Sequence, residues 1–167
     1  TYDLDGSLKN TVHMGKDFDP KCKSLIPVHT KVVGPHVFVC LGDQPPEDIA
    51  YLQETMVPRL APYNIAYSKI AHEAEIIEDG NWKLVIENNR ECYHCPPVHK
   101  MLNRLTPYDL GEDFLADGPW KGGWMPFAEG CETMSISGTR DGRPLLYARD
   151  GTEERRIFYY ILWPNLI

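Results

Sequence analysis

The sequence predicts an α+β fold, in which strands come first, helices follow and strands return. Turn dipeptides separate apolar, β-rich runs near both ends of the chain, and a proline-led acidic segment begins a helix near residue 47. No internal repeat or low-complexity tract interrupts this order. The 167 residues suffice for one domain or for two incomplete ones.

Residues 1–44 have the pattern of short strands joined by turns. Apolar, β-branched runs cover residues 31–33 and 37–40, with the turn dipeptide Gly34-Pro35 between them. A second turn dipeptide, Asp5-Gly6, lies near the start of the chain. This part is therefore predicted to consist of strands and turns.

A linking helix is predicted at about residues 47–57. The segment 45–48, Pro-Pro-Glu-Asp, suits a helix start, because proline fits the first turn and acids are stabilised at its positive end. The helix would link two units, residues 1–44 and residues 45–167.

The middle of the chain is predicted to hold two strands followed by helices. Residues 65–77 alternate loosely between apolar and polar side chains, and an Asp79-Gly80 turn leads into a second apolar run at residues 82–86. A helix is predicted directly after that run, and a shorter helix at about residues 99–105.

The last third is predicted to be a long loop followed by three strands. The loop, residues 107–130, is rich in glycine and proline, and loops of this length often form a lid or a pocket wall. The strands are predicted at residues 131–138, 143–148 and 155–163, with a turn at Asp141-Gly142.

Composition is that of a soluble globular protein, with 43% hydrophobic and 25% charged residues. The net charge of -7 argues against a nucleic-acid partner. No apolar run approaches the ~20 residues that span a bilayer, so no membrane association is expected. Five cysteines without the spacing of a disulfide framework predict reduced thiols and a cytoplasmic location.

The run 87–99, Glu-Asn-Asn-Arg-Glu-Cys-Tyr-His-Cys-Pro-Pro-Val-His, carries the candidate metal chemistry. On a helix, Glu87 and Glu91 share a face, and His94 follows on it three residues after Glu91. The two prolines would stop this helix, so that the chain bends and His99 approaches His94 from outside. Two imidazoles aimed at one point, with a carboxylate one turn behind the first, suit a non-haem Fe(II) site.

Alternatives remain for several of these residues. Glu91 could bind the metal directly or orient the ring of His94, and Glu87 could line the site or solvate the helix. Zinc bound by both histidines and the nearby Cys92 and Cys95 is a competitor, although helical spacing puts the cysteines on a different face. The two cysteines are otherwise expected to be buried packing thiols. A di-iron site is excluded, because only one Glu-x-x-His motif is present.

The run resembles the iron motif of the Rieske non-haem iron oxygenases, acid-x3-acid-x2-His-x4-His. Four residues match it position by position: Glu87, Glu91, His94 and His99. Flanking segments are also similar to this family, at residues 1–6, 37–43, 81–86 and 159–166. The sequences Glu-Asn-Asn-Arg-Glu-Cys-Tyr-His-Cys and Tyr-Tyr-Ile-Leu-Trp-Pro-Asn are most similar to the quaternary-amine branch, such as the glycine betaine monooxygenases.

The resemblance implies the C-terminal remnant of a Rieske [2Fe-2S] β domain in residues 1–44. Residues 45–167 would then be the first part of a helix-grip-like catalytic domain, an antiparallel sheet plus helices. The cluster ligands, Cys-x-His followed by Cys-x-x-His, are missing, because only Cys92-Tyr-His94 fits and it belongs to the iron motif. The family's third iron ligand is an Asp expected beyond Ile167. We therefore expect a fragment that is inactive alone, from a protein more than twice as long.

The resemblance also implies a mechanism and a set of partners. Mononuclear Fe(II) would be held by His94, His99 and that Asp, and the full-length protein would carry a [2Fe-2S] cluster. A flavin/iron-sulfur reductase would supply electrons, which would cross a subunit interface of a homotrimer through Glu91. With O2, the enzyme would hydroxylate an N-methyl group of a small quaternary amine, and loss of formaldehyde would complete a demethylation.

The substrate is also expected to contact aromatic side chains. A trimethylammonium group is attracted to aromatic faces by cation–π interaction, and the candidates are Tyr160, Phe158 and Trp163. Alternation along the strand can send only one of two sets into a pocket: Phe158, Tyr160 and Leu162, or Ile157, Tyr159, Ile161 and Trp163. The simpler interpretation of these rings is a sheet core. Rival functions are an aromatic-ring-hydroxylating dioxygenase of the same architecture and a zinc-stabilised interaction module.

Overall fold

The computed structural model describes residues 1–145 and 155–163 and confirms the α+β fold. Its main elements, in chain order, are β1 (His29–Val33), β2 (His36–Cys40), α1 (Ile49–Leu60), α2 (Trp82–Arg90), α3 (Cys95–Val98), α4 (Lys100–Leu105), β3 (Glu112–Asp113), β4 (Trp120–Pro126) and β5 (Arg156–Leu162). Single 3-10 turns lie at Pro20–Lys23, Ala61–Tyr63, Ile65–Tyr67 and Tyr108–Leu110. Within the described ranges, no helix is both long and apolar enough to cross a membrane.

The N-terminal part confirms the predicted strands and turns. Strands β1 and β2 form an antiparallel hairpin in which Val33 pairs with His36, and the turn between them places Gly34 at φ +59°. Glycine is preferred there because other residues meet a steric penalty at positive φ. Gly6 likewise adopts φ +84° in the predicted Asp5-Gly6 turn.

Helix α1 packs between the hairpin and a second sheet. It begins two residues after the start of the predicted linking helix and ends three residues beyond its predicted end, at Leu60. Its buried residues recur every four positions and meet residues from both sheets in one cluster: Val33, Leu52, Met56, Leu60, Trp120 and Leu162. Since Val33 shares a core with residues beyond position 45, the division into residues 1–44 and 45–167 stays a prediction.

The second sheet is antiparallel with the order β3-β4-β5. Strand β5 confirms the predicted strand at 155–163, whereas β4 lies inside the segment predicted to be a loop. That prediction was wrong because Gly122 and Gly123 resemble loop residues in sequence. In the sheet, Tyr160 and Tyr159 from β5 cross directly over them, so that a Cβ on either glycine would clash. The tertiary contact therefore explains both glycines.

The two strands predicted before the metal motif were also wrong. Residues 82–86 belong to α2, whose start is capped by the Asn81 side chain accepting from the Lys83 N–H at 3.0 Å. Residues 68–80, all described, form neither a strand nor an Asp79-Gly80 hairpin. Their apolar side chains, including Ile76 at 81% exposure, find no strand partner. An alternating pattern without a paired strand is insufficient for a sheet.

Residues 131–138, the next predicted strand, form turns instead. The Ser135 hydroxyl donates to the Thr139 carbonyl at 2.9 Å, and the Thr139 hydroxyl donates to Asp141 at 2.7 Å. Such local side-chain bonds compete with strand pairing. Asp141-Gly142 is the predicted turn, with both residues at positive φ. Of the strand predicted at 143–148, residues 143–145 are not in a strand and the rest lies outside the described residues.

Candidate metal centre

The metal motif begins where a helix ends. Helix α2 stops at Arg90, and Glu91 is extended, with φ -90° and ψ 138°. The prediction of a continuous helix through His94 is therefore wrong. Pro96 and Pro97 do not stop a helix but occupy the first turn of α3, where a missing N–H costs nothing. Helix α2 and the short helix α3 replace the single helix expected through His94, whereas α4 agrees with the short helix predicted at about residues 99–105.

Glu91 nevertheless holds His94 in a fixed orientation. Its Oε1 accepts a hydrogen bond from Nδ1 of His94 at 2.5 Å, and its Oε2 accepts one from the Tyr93 N–H at 2.9 Å. The bond from His94, the largest cause, lowers the pKa of the Glu91 carboxyl. A proton on Nδ1 leaves Nε2 of His94 with a lone pair for another ligand.

His99 meets that lone pair from the bend between α3 and α4. Its Nε2 lies 3.1 Å from Nε2 of His94, and the two rings stand at 76° with centroids 5.0 Å apart. The backbone holds His99 on both sides, since its N–H donates to the Cys95 carbonyl and its carbonyl accepts from Asn103. The structure thus brings together Glu91, His94 and His99, whereas Glu87 points away on the exposed side of α2.

The facing histidines fit two neighbouring ligands of one divalent ion. Metal–imidazole bonds of about 2.1 Å at right angles place their nitrogens about 3 Å apart, close to the observed 3.1 Å. Among the residues that the structure describes, no third histidine, cysteine or acid joins them in a metal-binding group. The motif can therefore supply two nitrogen ligands, with one carboxylate that orients the first of them.

A zinc site built from both histidines and both nearby cysteines does not fit. Cys92 and Cys95 form a disulfide, so the prediction of reduced, separate packing thiols is wrong for this pair. Outside a helix, the turn brings their Cα atoms to 4.9 Å, within the range that a disulfide needs. A disulfide sulfur is not a thiolate ligand for zinc. The free cysteines of the described part are Cys22, Cys40 and Cys131.

A cavity of about 490 Å³ opens beside the two histidines. One wall is the end of α2 and the metal motif; the other is the second sheet, which contributes Asp113 and Tyr159. The Tyr159 hydroxyl donates to Oδ1 of Asp113 at 2.5 Å, and Arg90 lies 3.6 Å from Oδ2 of the same carboxylate. Sequence reasoning missed Arg90 and Asp113. It did place Tyr159 and Tyr160 on opposite faces of β5, through the alternation of side chains along the strand.

The aromatic candidates for substrate binding lie elsewhere. Phe158 and Tyr160 stack on Phe114, with centroids 6.4 and 6.1 Å away, on the sheet face that also carries Trp120. Trp163 meets the edge of Trp82 at 5.9 Å. None of the three candidates lines the cavity beside the histidines. Phe158 and Tyr160 thus pack against other aromatic rings of the sheet, and Trp163 packs against the partly exposed Trp82.

Two facing histidines at helix ends beside an antiparallel sheet define a candidate mononuclear metal centre in an α+β fold. Residues 66–167, more than half of the chain, match the family model of the ring hydroxylating alpha subunit, catalytic domain. The chain belongs to this family. Its members are Rieske-type oxygenases, which in general use iron and a [2Fe-2S] cluster.

Within this family, the chain is similar to several curated proteins. The chain is 48% identical over 115 residues to the glycine betaine monooxygenase oxygenase subunit of Chromohalobacter salexigens, covering 68% of this chain and 26% of that protein. The corresponding subunit of Pseudomonas aeruginosa is 42% identical over 123 residues, covering 72% of this chain and 28% of that protein. The carnitine monooxygenase oxygenase subunit of Acinetobacter pittii is 32% identical over 109 residues, covering 59% and 28%. The chain therefore spans about a quarter of the length of these relatives.

A solved structure shares the fold. A quaternary ammonium Rieske monooxygenase, crystallised with an inhibitor, superposes with a TM-score of 0.70 at 18% identity, covering 96% of this chain and 40% of that one. This likeness supports the α+β architecture predicted from the sequence.

Proposed function

We propose that the chain is the central part of the oxygenase subunit of a quaternary-amine monooxygenase. The observation that carries this proposal is the pair of Nε2 atoms of His94 and His99, 3.1 Å apart, with Glu91 fixing the first ring. His94 and His99 would hold mononuclear Fe(II) together with the Asp that the family resemblance places beyond Ile167. Residues 45–167 would then form the first part of the catalytic domain, and residues 1–44 the end of the Rieske domain.

Glu91 has two tasks in this proposal. Its Oε1 keeps the proton of His94 on Nδ1, so that Nε2 is directed at the metal. Its side chain is 49% exposed, which leaves the carboxylate accessible to a neighbouring subunit of a homotrimer. Glu91 would thus connect the iron site to a [2Fe-2S] cluster of that neighbouring subunit. A flavin/iron-sulfur reductase would reduce the cluster. The bound iron would supply the activation of O2 at this site.

The substrate would be a small quaternary amine such as glycine betaine. Relatives named for glycine betaine and for carnitine support this choice over an aromatic ring. Hydroxylation of an N-methyl group gives a carbinolamine, which loses formaldehyde and leaves the demethylated amine. The test is a panel of glycine betaine, carnitine and benzoate with the full-length protein, its reductase, NADH and O2. We expect formaldehyde with a quaternary amine. A hydroxylated ring product from benzoate alone would favour the dioxygenase instead.

The metal assignment is tested separately from the substrate. In the full-length protein, His94→Ala and His99→Ala should each remove the mononuclear iron and leave the visible spectrum of the [2Fe-2S] cluster intact. His72→Ala is the matched control, because His72 is exposed and away from the cavity. If both histidine variants keep full mononuclear iron and turnover, the proposed site is wrong.

A further inference from the structure

One row of the second sheet contains an unusual contact between two strands that are not neighbours. Asp113 of β3 pairs with Gly123 of β4, and Gly123 pairs with Tyr159 of β5. Residues in such a row project to the same face, and the outer two strands are about 10 Å apart. Any middle residue with a side chain would stand between Asp113 and Tyr159.

Gly123 removes that obstacle. A Cβ built on it would lie 2.5 Å from the Tyr159 hydroxyl and 2.8 Å from Cζ of the same ring. The ring therefore lies across the space that a side chain would fill, and its hydroxyl reaches Oδ1 of Asp113 at 2.5 Å. Burial, followed by this hydrogen bond, raises the pKa of the Tyr159 phenol well above its usual range. The hydroxyl thus remains a donor.

The other oxygen of Asp113 points to the metal motif. Nη2 of Arg90 lies 3.6 Å from Oδ2 of Asp113. Arg90 is the last residue of α2 and directly precedes Glu91. The series Tyr159, Asp113, Arg90 therefore connects the sheet to the point where the chain leaves its helix. All three residues line the cavity that also contains His94 and His99.

We propose that Asp113 is a positioning residue for the metal centre: held by Tyr159, it fixes Arg90 and thereby the carboxylate of Glu91 behind His94. The proposal rests on the proposed function, because it needs a metal at the histidine pair. The Arg90–Asp113 pair is 38% and 55% exposed, and such pairs add little to global stability. Its effect should therefore appear at the metal site and not in the unfolding temperature.

The experiment uses the full-length protein loaded with Fe(II). Asp113→Asn and Tyr159→Phe should each weaken Fe(II) binding, measured by competition with a chromophoric chelator, by about 3- to 10-fold, less than loss of a direct partner of a ligand. Nitric oxide added to the ferrous protein serves as a spectroscopic probe, and its EPR signal should broaden in both variants. The double variant should resemble the stronger single one, because Tyr159 acts on Arg90 only through the Asp113 carboxylate. Arg90→Lys should restore part of what Arg90→Ala loses.

Two matched controls accompany these variants. Asp109→Asn removes an exposed carboxylate four residues before Asp113, and Tyr67→Phe removes an exposed hydroxyl. Both should bind Fe(II) as the wild type does. If Asp113→Asn matches Asp109→Asn in affinity and in EPR signal while His94→Ala loses its iron, only this inference fails. If His94→Ala itself keeps wild-type iron, the proposed function fails first. A fall in Fe(II) affinity that tracks a fall in the unfolding temperature would also overturn the positioning role.

Discussion

Oε1 of Glu91 accepts a hydrogen bond from the Nδ1–H of His94 at 2.5 Å, although neither residue lies within a helix. The contact expected from helical i,i+3 spacing is therefore made by an extended residue followed by a turn. The second oxygen of Glu91 accepts the Tyr93 N–H, which closes that turn. Thus one carboxylate shapes the loop and orients the candidate ligand.

Glu91→Gln should keep the iron and the cluster of the full-length protein but turn over very slowly. The amide still accepts a hydrogen bond through its oxygen, whereas the charge that would link the two redox centres in the proposed function is lost. Glu91→Asp should be partly active, because the charge survives with a shorter reach. Iron content and single-turnover oxidation of the prereduced cluster are the measurements. Outright loss of iron in Glu91→Gln would make Glu91 a ligand, and a wild-type oxidation rate would make it a bystander.

Gly123→Ala should destabilise the protein by about 1–3 kcal/mol, the usual cost of overpacking. The added methyl would collide with the Tyr159 ring and with the carbonyl oxygen of Glu112. Gly80→Ala is the control, because a Cβ at Gly80 meets nothing within 4 Å. Urea unfolding of the full-length variants measures the difference. Equal midpoints for the two variants would contradict the close crossing of Tyr159 over β4.

The disulfide should be visible by peptide mapping of the full-length protein alkylated without reduction. Cys22, Cys40 and Cys131 should carry the label, whereas Cys92 and Cys95 should not and should become labelled after dithiothreitol. In the unfolded Cys92→Ser variant, Cys95 should then be labelled without any reductant. Full labelling of both cysteines in the untreated protein would contradict the disulfide and support the reduced thiols predicted from the sequence.

The ion pair of Glu132 with Arg140 predicts a pH dependence of stability. Hydrogen bonds from the Arg140 side chain, and then from its backbone N–H, lower the pKa of Glu132 below its ordinary 4.5. A depressed folded-state pKa contributes stability above pH 4.5 that is lost as the pH falls through the folded value. Glu132→Gln should therefore lose less stability than the wild type between neutral pH and acid.

For Glu132, the measurement is the urea unfolding midpoint of the wild type and of Glu132→Gln at neutral pH and at acid pH. Glu129→Gln removes an exposed acid three residues away and serves as the control. The difference between the two variants isolates the bond to Arg140 from the general effect of removing one charge. Identical acid losses in both variants would show that Arg140 does not hold Glu132.

Phe158→Leu should lower stability by about 1 kcal/mol and leave the KM for the quaternary amine unchanged. Phe158 stacks on Phe114, on the sheet face that also carries Trp120, and it does not line the cavity beside the histidines. Urea unfolding and steady-state kinetics separate the two effects. A several-fold rise in KM with an unchanged urea unfolding midpoint would instead indicate that Phe158 contacts the substrate.

Local rules explain why part of this structure is predictable from sequence. The hairpin follows from two β-branched runs around Gly34-Pro35, and α1 follows from prolines and acids at its start. The candidate metal motif could be predicted because both histidines and the acid behind the first lie within residues 91–99. These features depend on residues close together in the chain.

The sequence by itself determined the α+β class, the histidine pair and the acid behind it. Only the tertiary structure decided that α2 ends at Arg90 and that Cys92 forms a disulfide with Cys95. It also decided that the Tyr159 hydroxyl bonds to Asp113 across Gly123 of β4. The last contact joins residues 46 positions apart, and its visible trace in the sequence, two adjacent glycines, also indicates a loop. Local propensity cannot distinguish a glycine in a flexible loop from a glycine in a strand that must leave room for an aromatic ring. The ring belongs to a strand that is distant in sequence.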